Sequence, residues 1–307
     1  MRVLLIGQKA FGADALAALV RDRVELVGAL IGTSDLERAD PLEAVAAEAG
    51  IDSLKVDNLM APEVEDWVRE RRPDLIVMAF VTLYMPMSLA RVAPLGALNF
   101  HPSLLPLHRG ISAIPWTILC GDEQAGLSVY FVDEGMDTGE VVVQKAVDVD
   151  AEDDFKSLYF KKIYPLGVEA IVEAVRLVAM GNPPRVRQDE SRAGYEPPIG
   201  RRHLTINWSD HVEQNRRRVR AGTPGLGGIA FLEDGREMRI YGCKRIGQAQ
   251  QSRVKAGQVV EVKEGGILVQ GTGGMLLLTN LCLAGEAKMD GGTFAANYGV
   301  SPGTAFK

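Results

Sequence analysis

Two short runs without a polar residue, Val3-Leu4-Leu5-Ile6 and Leu75-Ile76-Val77-Met78-Ala79-Phe80, constrain the fold of this chain more than any other feature. Near-continuous apolar runs of this length read as strands buried on both faces, as in a parallel sheet. The first ends at Gly7. Between the two runs the pattern changes period. Ala10 to Arg21 carries Leu16, Leu19 and Val20 on one helical face, and Val24 to Ile31 reads as a second strand. Pro41 to Gly50 reads as a helix closed by glycine, and Ala61 to Arg71 as a further helix. Such alternation implies right-handed βαβ units and an α/β fold with a mostly parallel sheet.

The stretch from Ala97 to Glu140 continues this sheet and carries the chemistry. Leu98-Asn99-Phe100-His101 alternates apolar and polar residues, as a strand does with one covered face, and Pro102 ends it. His101 is therefore expected at a strand's carboxyl end, with Asn99 on the same side of the pleat. Ser128 to Val132 reads as another buried strand, feeding a loop that holds Asp137 between Gly135 and Gly139. Val141 to Val149 should return antiparallel to it, and Ile111 to Cys120 should be helical. An amide, an imidazole and a carboxylate are thus expected to converge at strand ends, where open α/β sheets place ligands.

Phe155 to Met180 is the longest helical pattern, which Pro165 should kink or split. Gly181-Asn182-Pro183-Pro184 stops it. At 307 residues the chain is long for one domain, and the expected division is a catalytic domain over 1–183, a linker over 184–203 and a C-terminal domain over 204–307. In the last, a helix near Ser209–Ala221 precedes short strands alternating with glycine turns (Gly228–Leu232, Met238–Tyr241, Gln258–Val262, Gly266–Val269 and Met275–Leu278), which suggests a small antiparallel barrel.

A formal net charge of -6 argues against a chain-wide nucleic-acid footprint. The three cysteines, Cys120, Cys243 and Cys282, lack paired spacing, which suits a reducing cytoplasm. Neither a signal peptide nor a membrane span is expected. His101 and His108 have no metal-ligand spacing, and His203 and His211 read as surface residues, so no metal is expected. Gly7-Gln8-Lys9-Ala10-Phe11-Gly12 has the glycine spacing of a phosphate loop without the Lys-Ser/Thr that should follow, and a tight strand-to-helix turn is the commoner reading.

Taken singly, a histidine after a strand is more often a structural hydrogen-bonder than a catalyst. Together, Asn99, His101 and Asp137 match the needs of acyl transfer to an amine. These are a donor for the developing oxyanion, a proton relay, and an anion that holds the relay in one tautomer. No serine or cysteine stands in a nucleophile-elbow context, so direct attack on an activated acyl donor fits better than a covalent intermediate.

His101-Pro-Ser-Leu-Leu-Pro106-Leu-His-Arg109-Gly110, with Asn99 before it and Gly135-Met-Asp137-Thr-Gly139 after it, resembles the signature of the 10-formyltetrahydrofolate-dependent formyltransferases. The resemblance runs nearly the whole length. It is nearest to the N-terminal hydrolase domain of 10-formyltetrahydrofolate dehydrogenase and extends to methionyl-tRNA formyltransferase. It implies a Rossmann-like domain followed by an oligonucleotide-binding-like barrel, and 10-formyltetrahydrofolate as formyl donor. It also implies a pterin pocket bounded by Leu83, Tyr84 and Met85, with main-chain groups of Leu83 and Met85 binding the ring, and a loop of Val132, Asp133, Gly135 and Asp137 closing over it. Ordinary core packing is the competing reading for Tyr84 and Met85. Arg109-Gly110 should shape the catalytic loop.

In the dehydrogenase's hydrolase domain the position matching Asn99 is apolar. The amide here favours transfer to an amine or hydroxylamine of a small molecule, with donor hydrolysis as the alternative and a folate-binding module without turnover as a third reading. Methionyl-tRNA enzymes carry a basic, glycine-rich insertion after the second strand, where this chain has a short acidic segment, Gly32 to Asp40, so a nucleic-acid acceptor is not expected. Arg216-Arg217-Arg218-Val219-Arg220 reads most simply as a solvated helix face, and otherwise as a contact to an anionic acceptor or the folate tail. Within these 307 residues no aldehyde dehydrogenase is expected, so the chain should not oxidise the formyl group.

Overall fold

Arg2–Gly7 forms strand β1, an interior strand of a seven-stranded sheet in the computed structural model, which describes residues 1–33, 35, 37–247 and 254–307. After it come α1 (Lys9–Arg21), β2 (Glu25–Gly32), α2 (Pro41–Glu48), β3 (Ser53–Val56), α3 (Pro62–Arg71), β4 (Leu75–Ala79), α4 (Met87–Ala90) and β5 (Ala97–His101). Then follow α5 (Ala113–Cys120), β6 (Gln124–Phe131), β7 (Val141–Asp148), a π-helical stretch Ser157–Ile163 and α6 (Tyr164–Ala179). The strand order is β3-β2-β1-β4-β5-β6-β7, with β1 to β5 parallel. The predicted Rossmann-like sheet is therefore present. β6 and β7 run antiparallel to their neighbours.

The chain divides into two compact units. One comprises Met1–Ala113, Gln124–Asp148 and Phe160–Pro197, the other Ile114–Glu123, Val149–Tyr159 and Pro198–Lys307. Residues 185–197, read from composition as part of a linker, cluster with the first unit: Val186 exchanges two main-chain hydrogen bonds with Val141, at 2.9 and 3.0 Å.

The turn from β1 into α1 is tight. A side-chain carbon at Gly7 would lie 2.9 Å from the Ala79 carbonyl oxygen and 3.2 Å from Cα of Gly12. Both oxygens of Asp40 accept from the Lys9 amide at 2.9 Å, and Oδ1 also accepts from Leu42 N at the start of α2. Asp40 thus ties the β1–α1 turn to the start of α2.

Phe100 stacks on Phe11 of α1 with centroids 4.4 Å apart, and a side-chain carbon at Gly167 of α6 would sit 2.6 Å from its ring. Asn99 and His101 consequently face the other way, on the side where Ala97 and Met78 join an apolar cluster with Val64 and Val68 of α3 and Leu89 of α4. The expectation of one covered face is corrected: of the five residues of β5, four are buried and Asn99 is half-buried. Helices cover one side of the strand, this cluster lies on the other, and β4 and β6 flank it. Pro165 does not break the long helical pattern: Ser157–Ile163 is π-helical and runs directly into α6, with Pro165 in the first turn after the change of winding.

In the second unit come α7 (Arg201–Leu204), α8 (Val212–Gly222), β8 (Gly228–Phe231), β9 (Glu237–Ile246), β10 (Val259–Lys263), β11 (Gly266–Gly271), β12 (Gly274–Leu283), β13 (Met289–Asp290) and α9 (Gly291–Tyr298). The antiparallel sheet runs β10-β11-β12-β9-β8, with β13 paired to β12. Its two outer strands are joined by the last residues of the chain. Lys307 exchanges two hydrogen bonds with Phe231, at 2.8 Å each, and Val259 N donates to Thr304 O at 2.8 Å. Trp208, Val219, Ile240, Val269, Leu278, Phe294 and Phe306 fill the interior. Ser34 and Leu36, within the acidic segment 32–40, lie outside the described residues. No helix among the described residues is long and apolar enough to cross a membrane.

Candidate active site

Asn99 on β5 and Tyr130 on β6 are directly opposite in the antiparallel register, so their side chains share one face of the sheet. The Asn99 amide Nδ2 donates to the Tyr130 hydroxyl at 2.8 Å, and that hydroxyl donates to Asp137 Oδ1 at 2.7 Å. Asp137 Oδ2 accepts from the Gly110 amide at 2.7 Å and lies 3.6 Å from His101 Nδ1. The structure therefore brings Asn99, His101 and Asp137 round one point. It does so through a residue that sequence reading missed. Tyr130 sits in an apolar run that reads as buried strand, and nothing local marks its hydroxyl.

Because β6 is antiparallel to β5, its carboxyl end lies beside the amino end of β5, with Leu98 opposite Phe131. The loop from Val132 to Glu140 must double back to carry Asp137 towards His101. Asp137 has a φ of 56°, in the left-handed region, and the loop closes on itself: Asp133 Oδ1 accepts from Gly135 N at 3.1 Å and from Thr138 Oγ1 at 2.5 Å. A side-chain carbon at Gly135 would meet Thr138 Oγ1 at 2.1 Å. Asp133 and Gly135 thus build the loop that positions Asp137.

His101 is buried. Its Nε2 lies 2.9 Å from the His108 carbonyl oxygen, which can only accept, so Nε2 carries a hydrogen and Nδ1 is the atom that faces Asp137. His108 has a φ of 54° and its own carboxylate partner, with Nδ1 3.0 Å from Glu196 Oε1. Arg109 next to it is fully buried. Its guanidinium donates to Gln188 Oε1 (2.7 and 3.1 Å), to both oxygens of Glu190 (2.7 and 3.0 Å) and to the Tyr195 hydroxyl (2.6 Å). Gln188 Nε2 donates in turn to the carbonyl oxygens of Asp137 and Gly139, each at 2.8 Å. Segment 185–197 is therefore a strap that ties the His101–Gly110 loop to the Asp137 loop, and Arg109 shapes its loop by structure.

Tyr130 is 4% exposed; burial, and then the charge on Asp137, hold its phenol well above the usual tyrosine range. The hydroxyl keeps its proton and can satisfy both neighbours at once. Arg109 holds the Glu190 carboxyl below the usual glutamate range, chiefly through the hydrogen bonds between them.

Of the residues expected around a pterin, Met85 is buried, Leu83 and Val132 are half-buried against the cluster of Met78 and Ala97, and Tyr84 is 69% exposed. Core packing thus describes the Met85 side chain and not Tyr84. Neither the Leu83 nor the Met85 main chain is hydrogen-bonded to another described residue. Gln8, in the β1–α1 turn, donates to Thr82 Oγ1 at 3.2 Å across the point where the strand order reverses.

The arginine run is neither a solvated face nor a free basic patch. Arg216 is buried and paired with Glu213 (2.8 Å) and Glu152 (2.9 Å), Arg217 Nη1 donates to Cys120 O, Arg218 pairs with Asp210 at 2.6 Å, and Arg220 Nη1 donates to Asp153 O. Their side chains cover the second unit's own carboxylates and carbonyls. His203, expected at the surface, is half-buried beside Trp116, and its Nδ1 accepts from Gly200 N. His211 is exposed at the start of α8.

Residues 3–175 match the family model described as formyl transferase, and residues 198–299 that of the formyl transferase C-terminal domain. The chain is 33% identical over 247 residues to the cytosolic 10-formyltetrahydrofolate dehydrogenase of Xenopus laevis, an overlap of 79% of this chain and 27% of that protein. It is 30% identical over 311 residues to the methionyl-tRNA formyltransferase of Geotalea uraniireducens, covering 99% of this chain and 97% of the other. The crystal structure of an N-formyltransferase from Helicobacter canadensis, in complex with folinic acid and dTDP-3-aminofucose, superposes with a TM-score of 0.67 at 14% identity, over 90% of this chain and 98% of that one. The chain spans little more than a quarter of the dehydrogenase and nearly all of the tRNA enzyme. With more than half its residues under one family model and both parts of the fold matched, it belongs to the formyl transferase family.

Proposed function

We propose that this chain transfers a formyl group from 10-formyltetrahydrofolate to an amine or hydroxylamine nitrogen of a small molecule. The observation that carries this is the convergence of the Asn99 amide, the His101 ring and the Asp137 carboxylate. The attacking nitrogen bonds to the formyl carbon, the bond from that carbon to N10 breaks, and the proton lost by the nitrogen ends on N10. Asn99 has a second Nδ2 hydrogen for the oxyanion. His101 Nδ1, at 3.6 Å from Asp137, is beyond a normal hydrogen bond and is the ring atom left to hold or pass a proton. Gly110 N and Tyr130 fix Asp137, which orients the relay. Leu83, Tyr84, Met85 and Val132 would hold the pterin, with the main chain of Leu83 and Met85 bonding its edge and the Val132–Asp137 loop covering it.

The near end-to-end match to a methionyl-tRNA formyltransferase favours a second reading, in which the acceptor is an aminoacyl-tRNA. Pairing of Arg216 and Arg218 with carboxylates, and the engagement of Arg217 and Arg220 with main-chain carbonyls, weigh against it, because phosphate binding needs basic groups free to meet the phosphate. Tetrahydrofolate release should be followed with 10-formyltetrahydrofolate alone, then with hydroxyornithine, amino sugars and methionyl-tRNA. Release that rises with a small amine supports the proposal. Release at full rate without any amine identifies a hydrolase, and stimulation by the tRNA alone identifies the second reading.

A further inference from the structure

On the basis of the formyl-transfer reading above, we propose that Tyr130 is a specificity-determining residue: its hydroxyl fills the position between Asn99 and Asp137 that a hydrolytic water would take, so that nitrogen and not water receives the formyl group. The two legs of the bridge, 2.8 Å from Asn99 Nδ2 and 2.7 Å to Asp137 Oδ1, are those a water makes when it links an amide donor to a carboxylate. A buried water is held by two to four polar partners, and here the phenol has taken both. The oxygen cannot leave as a water could, because the ring is wedged between the buried side chains of Leu105 and Val141 and anchored on β6. It is also a poor nucleophile, since burial keeps the hydroxyl protonated and its one hydrogen is given to Asp137.

A water in this position would stand beside the carboxylate that orients the proton relay. It would attack the formyl carbon, the bond to N10 would break, and the water's proton would pass to N10, giving formate and tetrahydrofolate. With the phenol present, each Asp137 oxygen already has a donor, Tyr130 on Oδ1 and Gly110 N on Oδ2.

The test uses the full chain with 10-formyltetrahydrofolate and no amine, in wild type, Tyr130→Phe and Tyr130→Leu, following tetrahydrofolate release and oxygen-18 incorporation from labelled water into formate. Thermal melting and binding of unreactive 5-formyltetrahydrofolate show that each variant is folded and holds the folate. Tyr130→Phe should hydrolyse the donor on the order of tenfold faster than wild type, a modest part of the usual gain from a positioned acid–base group. Tyr130→Leu, which opens more room, should do so at least as fast. Folded, folate-binding variants that hydrolyse no faster than wild type would overturn the proposal alone. A wild-type chain that binds no folate would overturn the donor reading beneath it.

Discussion

Glu190 grips the buried guanidinium of Arg109 with both oxygens, at 2.7 and 3.0 Å, across 81 residues of sequence. Arg109 in turn reaches Gln188, which holds the carbonyl oxygens of Asp137 and Gly139. One planar fork therefore ties the His101–Gly110 loop to the Asp137 loop. Lysine cannot reproduce the fork. Arg109→Lys should lower stability by about 2 kcal/mol, the scale of a lost hydrogen bond to a charged group, and lower turnover with it. Urea unfolding and initial rates check this; wild-type values for both would show that the strap is idle.

The same pair sets a pH dependence. The folded-state pKa of Glu190 is depressed, mainly by the hydrogen bonds from Arg109. A depressed carboxylate contributes stability that is present above its unfolded pKa and is lost as pH falls through the folded one. Glu190→Gln should therefore show a shallower loss of urea resistance than wild type as pH is lowered below the ordinary glutamate range. Identical acid limbs would contradict the pairing.

His101→Ala and Asp137→Asn should each reduce turnover by on the order of a hundredfold or more, the usual scale for acid–base and oxyanion groups. Asp137→Asn is isosteric, removes the charge beside His101 Nδ1 and leaves one of its two donors, Gly110 N or the Tyr130 hydroxyl, without an acceptor. A near-wild-type rate in either variant would remove the role assigned to that residue.

Two glycine variants should differ in kind. A side-chain carbon at Gly139 would lie 1.6 Å from the Phe131 carbonyl oxygen, which is main chain and cannot step aside. Gly139→Ala should cost about 2–3 kcal/mol as the turn from β6 to β7 deforms, and should depress turnover by displacing Asp137. Gly50, with a φ of 68° and no neighbour within 4 Å, pays only conformational strain on substitution. Gly50→Ala should cost about 1 kcal/mol with normal activity. Calorimetry and rates separate the two; equal losses would refute the steric account.

Thiol reactivity should divide the three cysteines. Cys120 is exposed, Cys282 is buried, and burial pushes the Cys243 thiol up to about 12. Since the thiolate is the reactive form, a disulfide reagent at neutral pH should titrate Cys120 rapidly in the native chain and all three only after unfolding. Rapid loss of Cys243 in the native state would contradict its environment.

Local pattern alone was enough for six of the seven strands of the sheet, all but the short edge strand β3, for Pro102 ending β5 at His101, and for Asn99 and His101 on one side of the pleat, because side-chain alternation and the missing proline N–H act within a few residues. The trio could be named from its loops, since Asn99, His101 and Asp137 are chemically conspicuous. Tertiary structure alone decided the rest. The hydroxyl of Tyr130 has no meaning until antiparallel pairing sets it opposite Asn99, 31 positions away. Segment 185–197 looks like a linker until Gln188 and Glu190 find Arg109, and the arginines of α8 look solvated until Glu152 reaches Arg216. A buried charge or hydroxyl takes its role from the partner that satisfies it, and such partners are chosen by folding, at separations that no local pattern spans.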